Sequence, residues 1–456
     1  MMGERLVMQE SLFYEFRLED HVPCDHLLRR IDRFVDLSEL RQHLAGFYSA
    51  TGRPSIDPEL MIRMLLTGYC LGIRSERRLC EEVHLNLAYR WFCRLGLEGK
   101  VPDHSTFSKN RHGRFRESDL FRRLFEAVVQ RCLDEGLVGG EGFAIDASLI
   151  HADANKQRSL AGADWRAQDH TDAAPRAVRE YLATLDEAAW GAATDVEPKF
   201  VSPSDPAAQW TGALRGPAFF AYADNYLIDL KAAVIVDVEA SRAVRQAEVG
   251  AARAMLERTA ERFGLKPERL AGDSAYGSAE MLHWLVEEQK IAPHVPVIDK
   301  SERQDGTFAR SDFGYDPEAD TYTCPEGKTL TTSGTVVNEG TTRIYRGSTF
   351  DCGPCHLKEQ CCPNTPARKI PRSIYEHARE VARALAGTPA YERSRQGRKR
   401  IEMLFAHLKR ILKMGRLRLR GPCGAQDEFL LAATAQNLRK LAKLVALSGP
   451  QVMLPA

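Results

Sequence analysis

The 456-residue sequence predicts an α/β protein built on a mixed five-stranded sheet flanked by helices. Three observations support this. The first 135 residues have helical patterns throughout. Apolar strand-like segments alternate with amphipathic segments up to about residue 300, and the composition of 301–372 shifts to Thr, Gly, Asp and Cys. We therefore expect a helical N-terminal domain (1–135), a sheet-based core in two parts (136–300 and 373–456), and a small Cys-rich β insertion between them (301–372).

Helix-start signals define the N-terminal domain. Asp57 followed by Pro58 is a cap and first turn, an apolar face follows, and Gly72 ends the helix. Shorter helices are predicted at 75–83 and 85–95. Basic residues are frequent throughout this stretch: Arg74, Arg77, Arg78, Arg90, Arg94, Lys109, Arg111 and Arg114. The pattern fits a helix-turn-helix-like DNA reader or an ordinary packing domain with solvated arginines.

The core begins with a strand at 142–150 (GFAIDASLI), in which Asp146 is the one charged residue. A carboxylate within an apolar strand is costly unless it is paired or binds a cation. Alternatively, Asp146 lies on the polar face of a half-buried strand. Residues 152–215 are rich in Ala, Asp and Pro, and we expect a loop-rich insertion with one helix at 175–189 and no chemistry of its own.

The remaining strands follow in a defined order. Residues 218–240 predict an antiparallel hairpin, 243–263 a helix, 269–278 (RLAGDSAYGS) a short strand ending at Asp273 and then a turn and helix, and 291–298 a fifth strand. Three meandering strands, then helix, strand, helix and strand, is the order of an RNase H-like sheet. An acid at the carboxyl end of a strand is where α/β sheets usually place their chemistry.

Cysteines in the insertion predict a zinc site. Cys324, Cys352, Cys355 and Cys361 (or Cys362) supply four thiolates, and the CGPC pair has the spacing of a zinc knuckle. In a reducing compartment, and in a segment with little apolar content, a structural zinc would stabilise the fold. The alternative is a set of unliganded surface cysteines.

A basic helix follows the insertion. Residues 395–413 (RQGRKRIEMLFAHLKRILK) belong to a helix predicted over 374–414, with a break near Gly387, and another helix at 425–447 looks like packing. One stripe is apolar: Ile401, Leu404, Leu408 and Ile411. A second stripe sets one acid among cations: Arg398, Glu402, Lys409 and Lys413. Eleven Lys and Arg oppose two Glu over 391–420, so Glu402 either forms a local ion pair or binds metal where phosphates arrive.

The whole-chain composition limits the class of protein. It is 44% hydrophobic and 27% charged with a formal net charge of +1, as in ordinary globular proteins. No apolar run approaches the roughly 20 residues of a membrane span, and we expect no signal peptide. Eleven cysteines without a secretory signal favour a reducing cytosol. We expect a cytoplasmic protein with no membrane partner.

The acids Asp146, Asp273 and Glu402 stand in the order first strand, later strand end, late helix. With GDSAYG around the second acid and Arg398 and Lys409 around the third, the chain resembles bacterial insertion-sequence transposases of the DDE class. Their helical N-terminal domain resembles the GRPSIDPELMIRMLL and VPDHSTFSKNR stretches, and one branch has a similar Cys-containing insertion. The family's third-acid motif is Tyr, two residues, Arg, three residues, Glu, six residues, Lys. Here Arg395 occupies the Tyr position, which leaves the contact of that Tyr in doubt.

This resemblance implies a Mg-dependent enzyme that cleaves the ends of an insertion sequence and joins the 3′-OH ends to target DNA. Asp146 would contact two Mg²⁺ ions, and Asp273 and Glu402 one each, because oxygen ligands suit Mg²⁺ and the ions relieve carboxylate repulsion. The basic helix would bind DNA phosphates through Arg395, Arg398, Lys409 and Lys413. Expected partners are terminal inverted repeats and target DNA, bound by a homodimer at the nucleoid.

Two other functions fit the same residues. The chain could be a non-catalytic DNA-binding protein in which the acids only form ion pairs, or an RNase H-like nuclease without strand transfer. Nearby His151, Asp153 and Asp237 are interpreted as structural or solvated.

Overall fold

A computed structural model describes residues 16–49, 51, 55–166, 174–212, 216–298 and 305–445. Two of the sequence predictions concern residues outside these ranges. They are the absence of a signal peptide in residues 1–15 and the first residues of the GRPSID stretch, 52–54. One large hydrophobic cluster runs from the N-terminal helices through the main sheet to the C-terminal helix, and a small second cluster lies in the insertion. The N-terminal helices and the sheet therefore share one core.

The N-terminal region is helical, as predicted. Its helices in chain order are α1 Leu18–His21, α2 Leu27–Asp32, α3 Leu40–Leu44, α4 Pro58–Leu71, α5 Glu76–Leu85, α6 Leu87–Phe92, α7 His104–His112, α8 Arg114–Glu117 and α9 Leu120–Asp134. Asp57 caps α4 by accepting from the Glu59 N–H at 3.1 Å. Gly72 ends it in the left-handed conformation (φ 72°), which glycine adopts without a steric penalty. A 3₁₀ turn at Ala45–Phe47 follows α3.

Several arginines that suggested a DNA reader are structural. Arg90 is buried and donates to the backbone carbonyls of Leu97 (2.8 Å) and Gly99 (2.7 Å). Arg111 is buried against Glu76 at 2.6 Å. Arg74 pairs with the buried carboxylate of Glu428 on the C-terminal helix, which joins the N-terminal region to the core. These three are therefore neither solvated nor available to DNA, whereas Arg77 and Arg78 are exposed.

The main sheet has RNase H-like topology. Its strands are β1 Gly142–His151, β2 Gln209–Thr211, β3 Phe219–Asp229, β4 Ile235–Arg242, β5 Arg269–Ala271 and β6 Ala292–His294. The five predicted strands run in the spatial order β4-β3-β1-β5-β6. The β3 strand is antiparallel to β1 and β4, and β5 is parallel to β1 and β6. The β2 strand is a sixth strand that the sequence did not predict, and it pairs with the start of β3.

Among the described residues, four α-helices lie between β1 and β6 along the chain. They are α10 Gly162–Arg166, α11 Arg176–Ala183, α12 Arg245–Phe263 and α13 Ala279–His283, the last continuing as a π-helical turn at Trp284–Glu288. Short 3₁₀ turns lie at Lys156–Arg158, Gly191–Ala193 and Ser274–Tyr276. The segment predicted to be loop-rich is more ordered than expected, since it contributes Tyr181 and Trp190 to the large core.

The insertion is a second, five-stranded antiparallel sheet. It consists of β7 Gly314–Asp316, β8 Thr321–Thr323, β9 Thr329–Val337, β10 Thr342–Arg346 and β11 Lys369–Ser373, with helices α14 Thr349–Cys352 and α15 Lys358–Cys361 and a 3₁₀ turn at Arg310–Asp312. Its small core includes Tyr322, Leu330, Tyr345, Cys361 and Cys362. Two cysteines thus stand where aliphatic side chains would ordinarily pack.

The chain returns to the main core through α16 Glu376–Ala386, α17 Pro389–Arg410 and α18 Pro422–Leu444. The predicted break near Gly387 is confirmed. The predicted end of the basic helix is wrong, because α17 stops at Arg410. Ile411 is therefore 47% exposed instead of packed. Lys413 does not continue the helical stripe, since its φ of 56° places it in the left-handed region.

Candidate active site

Asp146 lies in the middle of β1, with Tyr226 of β3 directly opposite. Its side chain is half-buried, and its Oδ1 accepts from the Ala147 N–H at 2.9 Å. Burial raises the pKa of Asp146, and the like charges of Asp273 and Glu402 raise it further, against the opposing effect of Ala147 and Arg398. Asp273 and Glu402 therefore both lie within electrostatic reach of Asp146.

The parallel register brings Asp273 beside Asp146. Ala144 of β1 pairs with Ala271 of β5, so two further residues along each chain lead to the two acids. Asp273 caps the 3₁₀ turn that follows, accepting from the Ala275 N–H at 2.7 Å. A Cβ on Gly272 would lie 3.1 Å from the Tyr276 ring and 3.3 Å from Ile145, so the backbone passes close to β1 at this point.

Glu402 arrives from α17, which packs against β1, β5 and β6. One turn along the helix, Phe405 stacks on Tyr226 with ring centroids 4.9 Å apart, which sets Glu402 at the level of Asp146. One turn earlier, Arg398 donates to the Gly272 carbonyl at 3.0 Å. Glu402 itself is exposed. The helix therefore carries its acid and its nearest cation to the same end of the sheet.

Of the other predicted DNA-binding cations, Arg395 and Lys409 lie on α17 and Lys413 lies after its end. Arg395 is exposed and pairs with Glu392 at 2.8 Å. Lys409 is an exposed residue whose ammonium lies within electrostatic reach of the buried Asp224 of β3. Desolvation lowers the pKa of Lys409, and Asp224 opposes that shift. Lys413 is exposed after the helix. Arg398 is the one of the four that contacts the residue next to an acid of the site.

The predicted zinc ligands surround one cavity of the insertion, with a volume of about 240 Å³. Its lining includes all five candidate thiols: Cys324, Cys352, Cys355, Cys361 and Cys362. All are free thiols. Cys324 sits in a tight turn in which its Sγ accepts from the Lys328 N–H at 3.3 Å. Cys361 and Cys362 both lie on the cavity, so the structure leaves the choice between them open.

Metal geometry is not preformed. Within the described part of the chain, no three or more His, Cys, Asp or Glu side chains converge closely enough to hold an ion. This applies both to the three acids and to the thiols. The residues have the donor chemistry for metal, but their side chains would have to close around it.

Two family matches bear on identity. Residues 16–113 match a transposase domain (DUF772), and residues 323–442 match a transposase DDE domain. The second match contains Glu402, Arg398 and the cysteines of the insertion. The chain belongs to the insertion-sequence DDE transposases. The first two acids of this transposase lie between the matched segments, so their assignment depends on the geometry above.

Two further side chains near these acids in the transposase were not indicated by the sequence patterns. Glu248, in the first turn of α12, has its pKa raised to about 7 by burial and by the charges of Asp273 and Asp146. Tyr276 is buried in the turn after Asp273, and its hydroxyl has no hydrogen-bond partner among the described residues. Glu248 was missed because a single acid in an amphipathic helix is indistinguishable from a solvated one.

Residues interpreted as structural are so in the transposase. Asp153 pairs with Arg416 and Arg420, each at 2.8 Å. Asp237 pairs with Arg122 at 2.6 Å. His151 stacks on Phe219, with ring centroids 3.8 Å apart.

None of the helices in the described ranges has the length and apolarity required to cross a bilayer.

Proposed function

We propose that this transposase cleaves the ends of its element and joins the exposed 3′-OH ends to target DNA by phosphoryl transfer at Asp146, Asp273 and Glu402. The observation that carries the proposal is that Asp273, Glu402 and Arg398, from two other elements, all lie within electrostatic reach of the half-buried Asp146. The raised pKa of Asp146 reflects burial and uncompensated negative charge, and such perturbed groups are typical of functional sites.

The donor set fits Mg²⁺. Oxygen-only ligands with surplus negative charge are what a hard divalent cation requires. Asp146 would contact two ions, with Asp273 and Glu402 contacting one each. When bound, the ions stabilise the attacking and leaving oxygens of an in-line displacement.

The proposed reaction has two steps. In the first step, water displaces the 3′ oxygen from one phosphodiester, leaving a 3′-OH and a 5′-phosphate. In the second, that 3′-OH replaces an oxygen of a target phosphodiester, so one ester bond forms as another breaks and no external energy source is needed.

The protein's own side chains would position the helix and the DNA for these steps. Arg398, anchored on the Gly272 carbonyl, fixes α17 beside Asp273. Lys409, Arg395 and Lys413 would neutralise DNA phosphates.

Other parts of the proposal concern partners. The N-terminal region is the candidate reader of the terminal inverted repeats, with Arg77 and Arg78 exposed for phosphate contact. Since two ends must be held together for transposition, we propose a homodimer on DNA, working at the nucleoid in the cytoplasm.

A strand-joining assay tests the function. The purified chain is mixed with a supercoiled plasmid and pre-cleaved duplexes taken from the DNA flanking its gene, in Mg²⁺ or EDTA. We expect the duplex 3′ ends to become covalently joined to the plasmid only in Mg²⁺. A salt-sensitive gel shift without new strand ends would instead identify a DNA-binding protein, and cleavage without joining would identify a nuclease.

We further propose that the cavity of the insertion holds one structural zinc through Cys324, Cys352, Cys355 and either Cys361 or Cys362. Four soft thiolates fit tetrahedral Zn²⁺, and a bound ion would replace the missing apolar packing of this small core.

Metal analysis of the purified chain tests the zinc site. We expect about one zinc per chain, loss of that zinc in Cys352→Ser, and a lower melting temperature after chelation, because zinc binding contributes directly to folding. Cys361→Ser and Cys362→Ser should differ, the true ligand losing zinc. Cys24→Ser is the control, since Cys24 is exposed and distant from the cavity. Absence of zinc from the unmodified chain would refute the site.

A further inference from the structure

A fourth acid, Glu248 of α12, lies within electrostatic reach of Asp273 and Asp146. The α12 helix begins just after β4, packs against β3 and β4, and contacts the Ser274–Tyr276 turn that follows Asp273. Glu248 lies in the first turn of α12 and is partly buried. Among the described residues it has no salt-bridge partner within 4.0 Å, although Arg245 is close enough to attract it. A carboxylate in an ordinary structural ion pair would have a cationic partner within that distance.

The hydroxyl of Tyr276 is an independent observation. It is buried, with no hydrogen-bond partner in the part of the chain that the structure describes. The charges around it are those of Glu248, Asp146 and Asp273, with Arg398 opposing them. A buried hydroxyl costs free energy when unpaired. The turn that α12 contacts thus holds an unpaired buried hydroxyl on which three carboxylates act electrostatically. A cation with its bound water would relieve the repulsion between the carboxylates and supply the missing hydrogen bond.

We propose that Glu248 is a fourth ligand of the divalent cation held by Asp146 and Asp273, and that Tyr276 donates its hydroxyl hydrogen to water in the same space. The inference rests on the proposed function. The predicted three-acid set would then be a four-acid set, with α12 contributing the fourth acid. Glu248 would thus be a catalytic residue through its contact with the cation.

Thermal unfolding of the full chain in EDTA and in increasing MgCl₂ or MnCl₂ tests this without requiring activity. The unmodified chain should melt at a higher temperature as the cation is added. Glu248→Gln should melt at the same or a higher temperature in EDTA, because repulsion is removed. It should require about tenfold more cation for the same rise, as expected when a group that supports metal binding is lost. Glu248→Asp should recover part of the response.

Matched variants separate the outcomes. Glu257→Gln, on the exposed side of the same helix, should behave like the unmodified chain. If Asp146→Asn weakens the cation response and Glu248→Gln does not, the fourth-ligand proposal is wrong and the three-acid site stands. If neither variant changes the response, the proposed site itself fails. Should Glu248→Gln not fold, the same comparison is made with Glu248→Ala, which also removes the carboxylate and whose unchanged cation requirement would overturn the inference.

Discussion

Asp146→Asn, Asp273→Asn or Glu402→Gln is expected to abolish cleavage of end-containing DNA while DNA binding persists. Loss of a carboxylate that holds a catalytic cation forfeits several kcal/mol of transition-state stabilisation. At 1.36 kcal/mol per tenfold change, this is on the order of 10³-fold in rate. Single-turnover cleavage of a labelled duplex, alongside a gel-shift titration, measures the two effects separately.

The same substitutions should not damage the fold. Burial and neighbouring charges raise the pKa of Asp146, so its ionised form is disfavoured in the folded protein. Its contribution to stability is greatest at low pH and is lost as pH rises toward the folded-state pKa. In EDTA at neutral pH, Asp146→Asn should therefore melt at the same temperature as the unmodified chain or above it.

The control is Glu141→Gln, just before β1, where the side chain is 72% exposed. Its cleavage rate should stay within about twofold of the unmodified rate, since surface substitutions rarely matter. Because the three acids act as one unit, a double variant should be no less active than a single one. Full activity in any one of the three variants would remove that residue from the site.

Of the substitutions proposed for this protein, Glu376→Ala is expected to cause the largest decrease in the free energy of unfolding. Glu376 is 1% exposed at the start of α16 and accepts from three guanidinium groups. Arg310 of the insertion donates at 2.8 and 2.9 Å, Arg379 at 2.8 Å and Arg383 at 2.9 Å. Removing one partner of a buried ionic network leaves charges uncompensated and costs about 3–5 kcal/mol.

The network also has a positional role, because Arg379 donates to the Ile298 carbonyl after β6 at 2.5 Å. It therefore joins the insertion, the sheet and the helix that leads into α17. Urea unfolding followed by circular dichroism measures the loss. Glu380→Ala is the matched control on the same helix, where a half-exposed Glu380 bonds to Arg372 at 3.0 Å and should cost less than about 1 kcal/mol. Equal losses in the two variants would contradict the assignment.

Local patterns were sufficient for the five predicted strands of the main sheet and for the ends of α4. The run GFAIDASLI is apolar enough to be β1, and the Asp57–Pro58 and Gly72 signals bound α4 because capping is decided by neighbouring residues. The positions of Asp146 and Asp273 followed from the same patterns, since each is an acid in or just after a strand. The strand order then predicted an RNase H-like sheet.

Patterns failed where long-range contacts decide. The β2 strand pairs at Trp210 because β3 offers a partner, not because its own sequence favours a strand. Arg74, Arg90 and Arg111 resembled DNA-binding residues, but their carboxylate and carbonyl partners were not visible from local sequence. Likewise, α17 ends at Arg410, although the periodic stripe in the sequence continues to Lys413.

The sequence alone determined the family resemblance, the element order and three acids at the expected places along the chain, because strand and helix periodicity and motif spacing are local properties. Tertiary structure decided that Asp273 and Glu402 come within electrostatic reach of Asp146 and that five thiols line one cavity. It also brought Glu248 toward Asp146 and Asp273. Electrostatic repulsion, burial and missing hydrogen-bond partners depend on which side chains meet in space, and separation along the chain does not encode that.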